Sequence, residues 1–383
     1  MSRIITLSNT GLSRQAIQKQ AKKQKITRLF RGAYIDAQEY AALDITGQYK
    51  ARAEAFLATH PKLEAWGITA AALEGAPILA KAPLHFAGTR SNAKSKQKGC
   101  VFHEKLPFVP TINNRTAQIL FECATSSPLS DTLLAANYLL RRLSVNASSG
   151  LLASRSIDEK TTEALLREPL SSKNDRVQGQ GAHLASKLDI HKQDFLKSYD
   201  AARTTRFAST QAELVWFDFA QLCVVYGAKR AIRKALRVGL YFSDQVESPA
   251  ESLLVSRCVE LGFEVPYLQV NILDPTSGKN LGRVDGLWPS HAVYKGLYQR
   301  DSQFGRLIYS KQFGDNNSVV VEFDGRLKYQ QDYIGLLEKE RLRQNAIGNL
   351  GFRFVRISWE DLMQASSMHA VLTAAKIPKA KYN

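Results

Sequence analysis

Val319-Val320-Val321-Glu322-Phe323-Asp324-Gly325 reads as a strand that carries an electrostatic cost, and Arg283-Val284-Asp285-Gly286 upstream adds to it. The run of valines specifies a buried strand. Its two-residue period puts Val319, Val321 and Phe323 on one face, and Glu322 with Asp324 on the other. Two carboxylates side by side on a hydrophobic strand, with Asp285 on a short neighbouring strand, are costly to desolvate unless a positive charge sits with them. A divalent metal or a fixed Lys or Arg satisfies that demand, so chemistry is expected here.

Around this strand the pattern from about Ser243 runs helix, strand, long loop, strand, helix, strand. Ser248-Pro249-Ala250-Glu251 opens a helix to about Leu261, closed by Gly262, and a strand comes next around Tyr267-Leu268-Gln269-Val270. Leu281 to Trp288 carries Asp285, and residues 295 to 318 read as an inserted loop or hairpin. Asp332 to Leu350 is a helix ended by Gly351, before a last strand at Phe352 to Ile357 and a terminal helix led by Trp359-Glu360-Asp361-Leu362. On a wheel of about 100° per residue, Leu336, Leu342, Ala346, Ile347 and Leu350 share an arc of about 140°, and Lys339 and Arg343 fall inside it. Both cations are therefore expected either to point inward at Glu322 and Asp324 or to snorkel outward. Glu251 has two readings, because Ser248 and Glu251 also have capping-box spacing.

The whole chain of 383 residues has room for two or three domains. It contains no apolar run of about 18 residues, so no membrane partner is expected, and its N-terminus does not read as an export signal. Four widely spaced cysteines (Cys100, Cys123, Cys223, Cys258) read as reduced packing residues of a cytoplasmic protein. The formal charge of +17 favours a polyanionic partner, most simply nucleic acid.

That charge is clustered. Gly11 to Ile35 holds Arg14, Lys19, Lys22, Lys23, Lys25, Arg28 and Arg31 and no acid. Ser13 caps a helix to about Lys23, with Leu12, Ala16, Ile17 and Ala21 on its inner face, and Ile26 to Ile35 suits a two-stranded wing. Helix and basic hairpin form the layout of a winged helix-turn-helix. Arg14, Gln15, Gln18, Lys19, Lys22 and Lys23 of the helix, with Arg28 and Arg31 of the wing, are then the candidate DNA contacts. The alternative is a solvated basic helix. Residues 40 to 145 read as mixed α/β, with a helix over Thr69 to Gly75 and strands at Leu84-His85-Phe86 and Cys100 to His103. His85 and His103 on those strands are a candidate metal pair or two ordinary strand histidines. The basic loop from Arg90 to Lys98, and a cationic helix bearing Lys229, Arg230, Arg233, Lys234 and Arg237, are further patches that suit a phosphate backbone.

Glu251, Arg283-Val284-Asp285, Glu322 to Tyr329, Glu338-Lys339-Glu340-Arg341 and Gly351 to Arg356 resemble a bacterial family whose chain ends in a very-short-patch-repair-like nuclease domain of the PD-(D/E)XK superfamily. Gly11-Leu12-Ser13-Arg14, Phe30 to Tyr34 and Trp66 to Gly75 are similar to the N-terminal part of an AbiEi-type antitoxin, a winged helix followed by a small α/β domain. The resemblance covers both ends of the chain and little of residues 145 to 240. It implies an α/β multi-domain protein: a winged helix-turn-helix at 1–40, a small α/β domain at 41–145, a helical connector at 146–242 and a restriction-endonuclease-like α/β/α domain at 243–383.

It also implies that Asp285 and Glu322 hold Mg²⁺ or Mn²⁺, with Glu251 completing the site. Where the superfamily places a lysine two residues after the second acid, this chain has Asp324. Lys339 or Lys328 is the candidate replacement, Lys339 the favoured one. The expected function is a metal-dependent DNA endonuclease directed by the winged helix, in defence against phage or foreign DNA, with a toxin or defence component as a further partner. The alternative is a transcriptional repressor or antitoxin on an inactive nuclease fold. RNA processing fits the charge but not the winged helix.

Overall fold

The computed structural model describes residues 4–6, 10–79, 82–89, 97–105, 114–148, 209–226, 235, 238–274, 276–289, 299–300, 307–310, 318–323 and 333–380. They fall into two compact units. One comprises the described residues of Met1–Leu139 and Leu214–Gly239, the other those of Leu140–Ser154, His191–Glu213 and Leu240–Asn383. Both mix helix and sheet, as expected of a multi-domain α/β chain.

The first unit opens with β1 (Ile5–Thr6), α1 (Arg14–Lys22), β2 (Ile26–Phe30) and β3 (Ala33–Asp36), in a sheet of order β1-β3-β2. Ser13 caps α1, its Oγ accepting from the Ala16 N–H at 3.2 Å. Gln24, at φ 55°, ends the helical run. Gly32, at φ 86°, allows the two-residue turn between β2 and β3 that a side chain would strain. Ile17, Ile26, Ala33 and Ile35 are buried. Leu12, expected on the inner face, is exposed because it precedes the cap and lies outside the helical period.

After α2 (Ala37–Ala42), α3 (Ile45–Thr59) packs against β2 and β3, which ties residues 1–40 into the same unit as the next α/β segment. That segment consists of β4 (Glu64–Ala65), α4 (Ile68–Leu73), β5 (Leu84–Gly88), β6 (Cys100–Glu104), α5 (Arg115–Ser126) and α6 (Leu129–Ser148). The three strands form a sheet of order β4-β5-β6, with β5 and β6 parallel. In α7 (Thr210–Tyr226), Trp216, Phe219 and Leu222 are buried. Residues 149–208 of the expected helical connector, the cations Lys229, Arg230, Arg233, Lys234 and Arg237, and the loop from Arg90 apart from Gln97 and Lys98 lie outside the described residues.

The second unit is built on one sheet. Its elements are α8 (Pro249–Glu260), β7 (Tyr267–Leu273), β8 (Asn280–Trp288), β9 (Gln299–Arg300), β10 (Leu307–Ser310), β11 (Val319–Phe323), α9 (Tyr333–Asn349), β12 (Arg353–Ile357), α10 (Trp359–Met363) and α11 (Ala365–Ala374). The strand order is β12-β11-β8-β7-β10-β9, parallel at β12/β11 and β7/β10 and antiparallel elsewhere. The segment read as an inserted loop or hairpin supplies β9 and β10. They pair with each other, and β10 also extends the sheet beside β7. Val270, Ile272, Val284, Leu287, Val320, Ile347 and Phe352 form the core that seats α9 on the sheet. All four cysteines are free thiols, and Cys123, Cys223 and Cys258 are buried.

Candidate functional site

The ladder between β8 and β11 positions the acids. Its pairs Val319↔Trp288, Val320↔Leu287 and Val321↔Gly286 carry one step further to Glu322 opposite Asp285, on one face of the sheet. Asp285 Oδ2 accepts from the Phe323 N–H at 3.2 Å, fixing that carboxylate to the end of β11. Glu251 reaches the same group from α8 and feels the Asp285 charge.

Burial is the leading cause of its shift. It raises Glu251 to about 7, against the hydrogen bonds from the Glu247 N–H, Ser248 and Gln269, while Asp285 pushes it further up. The capping reading of Glu251 is visible directly. Its Oε1 accepts from Ser248 Oγ at 2.7 Å and its Oε2 from the Glu247 N–H at 2.8 Å, a local cap, and the same carboxylate belongs to the acid cluster.

The cation within this cluster is Arg343. From α9 its guanidinium hydrogen-bonds Glu322 Oε1 and Glu340 Oε1, and its Nη1 donates to the Arg283 carbonyl at 3.1 Å. Gln344 Nε2 takes the other Glu322 oxygen, Oε2, at 2.8 Å, and Arg356 donates to Gln344 Oε1 at 3.1 Å. Glu322 is buried, and desolvation drives its carboxyl upward. Arg343 pulls it down, while the Glu340 and Asp285 charges add to the rise. The Glu340 and Glu322 carboxylates hold the Arg343 guanidinium firmly protonated, against the opposing effect of burial.

Of the two inward cations expected on this helix, Arg343 points inward and Lys339 is exposed. At 100° per residue Lys339 lies about 80° from the buried Ile347 and Arg343 only about 40°. Leu342 stands about 140° from Ile347 and is 58% exposed, so counting it as apolar draws the calculated stripe towards solvent. Asp324 and Lys328 lie outside the described residues.

Gln269, Glu340 and Gln344 are site residues that the sequence reading missed. Gln269 comes after two apolar residues of β7 and sits at φ 56°, a conformation non-glycine residues seldom adopt. Its side chain bonds Glu251, and its Oε1 is a buried acceptor with no hydrogen-bond partner. A polar residue between Leu268 and Val270, in a strand that is mostly apolar, was the available signal.

A divalent ion such as Mg²⁺ requires hard oxygen donors. Three carboxylates and the orphaned Gln269 oxygen fit that chemistry, and the mutual repulsion of Glu251, Asp285 and Glu322 leaves negative charge for a cation to neutralise. The carboxylates are turned to internal partners, and among the described residues no three His, Cys, Asp or Glu side chains converge as an ion-holding group.

In the first unit, Arg14, Gln15, Gln18, Lys19, Lys22 and Lys23 of α1 and its C-terminal cap, and Arg28 and Arg31 of the β2–β3 hairpin, are all exposed. The first turn of α1 holds no acid, and its last turn carries Lys19 and Lys22. Helix and hairpin thus present one solvent-facing set of cations and amides anchored by the buried Ile17. No helix among the described residues is long and apolar enough to cross a membrane.

Comparison of the chain with protein-family models, with curated proteins and with solved structures gave no match.

Proposed function

We propose that this chain is a DNA-binding protein whose C-terminal unit is a divalent-metal-dependent DNA endonuclease. The observation that carries the reading is Asp285 and Glu322 standing next after the last pair of the β8–β11 ladder, with the Asp285 charge acting on both Glu322 and Glu251 and Arg343 bonded to Glu322. In this reading the second unit is a restriction-endonuclease-like domain, and α1 with the β2–β3 hairpin is a winged-helix DNA reader. Asp285, Glu322 and Glu251 would hold Mg²⁺ or Mn²⁺, which lowers the pKa of a water and stabilises charge on the scissile phosphate. Arg343 orients Glu322 and places a fixed positive charge beside it, the demand left open by Asp324 standing where a lysine is expected. The setting is cytoplasmic, with foreign DNA as the substrate class.

One observation favours a second reading. Both Glu322 oxygens are hydrogen-bonded within the protein, and Lys339 faces solvent. This suits a repressor or antitoxin that retains the nuclease fold for DNA binding, with a toxin as partner.

Incubation of the purified chain with plasmid and single-stranded DNA and Mg²⁺ or Mn²⁺, beside Asp285→Asn, separates the two. Metal-dependent cutting that the variant loses supports the endonuclease. Sequence-selective binding with no cutting and no metal dependence supports the repressor.

A further inference from the structure

A second cluster of chemistry-bearing side chains lies in the first unit. The parallel register of β5 and β6 pairs His85 with Val101 and Ala87 with His103, which brings His85 Nδ1 to 3.0 Å from His103 Nε2. Trp66 stacks on the His103 ring at 4.9 Å between centroids, and His103 stacks on His85 at 5.2 Å. The three rings line a cavity of about 730 Å³, shared with Ile68, Thr125 and Asp131. Trp66 is 6% exposed and its indole Nε1 has no hydrogen-bond partner. Asp131 makes no ion pair among the described residues, and burial raises its carboxyl.

We propose that His85 and His103 form a binding site for a first-row transition-metal ion of the zinc class, with His85 Nδ1 and His103 Nε2 as protein ligands. Bonds of about 2.0–2.1 Å at a tetrahedral centre set two nitrogens about 3.3 Å apart, close to the separation this pair already has. In the hydrogen-bonded pair one facing nitrogen carries a proton and the other a lone pair. Binding moves that proton to the far nitrogen of the same ring, so both rings stay neutral and no proton is lost overall. Burial keeps both imidazoles neutral, lowering His85 to about 4, with His103 adding to the effect, and lowering His103 as well.

Water fills the remaining positions, since no third His, Cys, Asp or Glu joins the pair among the described residues. Asp131 lines the same cavity, where its carboxylate favours a cation. An anion bound to the metal gives the orphaned Trp66 donor its acceptor. Nitrogen ligands set this site apart from the oxygen donors of the C-terminal unit.

The test uses the full chain in an Asp285→Asn background, titrated with Zn²⁺ alone by calorimetry and with Ni²⁺ by quenching of Trp66 fluorescence. One equivalent is expected to bind. His103→Gln, on the edge strand, is expected to weaken it about 100-fold or more, beyond the 10–100-fold typical of groups that merely support a ligand. His85→Ala does the same if circular dichroism shows it folded, while Cys100→Ser has no effect. Trp66→Phe removes the Ni²⁺ quench and keeps the Zn²⁺ heat. Absence of Zn²⁺ binding, affinity unchanged in His103→Gln, or a quench that survives Trp66→Phe would each overturn the proposal.

Discussion

Replacing Glu251 by Gln removes one buried ionisation while keeping the shape of the side chain. Burial lifts this carboxyl from 4.5 to about 7. Because the folded value lies above the unfolded one, protonation stabilises the fold: the contribution is complete below about 4.5 and is lost as pH rises through about 7. At about 1.4 kcal/mol per tenfold change, the wild-type chain should lose roughly 2–3 kcal/mol between pH 5 and pH 8 relative to a variant that does not titrate.

The amide of Glu251→Gln can still accept from the Glu247 N–H and donate to Ser248 Oγ, so the cap at the start of α8 survives. For a unit of this size, about 2–4 °C of melting temperature per kcal/mol converts the difference to roughly 5–10 °C. Thermal unfolding of both proteins at pH 5, 6, 7 and 8 gives the result directly. The variant's melting temperature should rise relative to the wild type as pH increases, most steeply between pH 5 and 7, and level off above. Parallel curves from pH 5 to pH 8 would refute the claim that this carboxylate is buried at an electrostatic cost.

DNA affinity should fall steeply with salt, with a log–log slope reduced by about 2 in the Lys19→Ala, Lys22→Ala double variant, and a flat salt dependence in filter binding would sink the α1 interface. Arg343→Ala strands Glu322 and Glu340 and should destabilise the second unit by about 2–4 kcal/mol in thermal melts, with partial recovery in Arg343→Lys. Lys339→Ala, at an exposed position, should stay within about 0.5 kcal/mol of wild type in the same melts. Gly282→Ala puts a Cβ 2.6 Å from Arg343 Cδ at φ +150°, so it should shift Arg343 and lower the melting temperature, and an unchanged melt would contradict that packing.

The pattern of apolar residues conveyed the strands better than the polar interior. The Val319–Val321 run and the Ser13 cap are local signals, settled by period and by hydrogen bonding to the next turn, and both appear where expected. The face of α9 was misjudged, because a hydrophobicity wheel assumes that whatever turns inward is apolar. Towards Glu322 the helix turns Arg343 and Gln344, which bond Glu322 on a distant strand, with Glu340 held beside them by pairs within the helix. Gln269 escaped notice for the same reason: its partner Glu251 is on another element. The exposed face of α1 needed only local information, and all eight of the polar residues chosen on it and the hairpin face solvent.

The β8–β11 register, which ends with Val321 opposite Gly286 beside Glu322 and Asp285, makes the site indifferent to some changes in length and intolerant of others. Residues added or removed between Trp288 and Val319, outside β9 and β10, leave both strands where they are, because the ladder, not the intervening chain, sets their alignment. A single residue gained or lost within Val284–Trp288 would instead turn one carboxylate to the opposite side of the sheet. Natural or engineered variation should therefore accumulate in the connecting segment and be purged from that short stretch, a contrast visible in an insertion scan of this region alone.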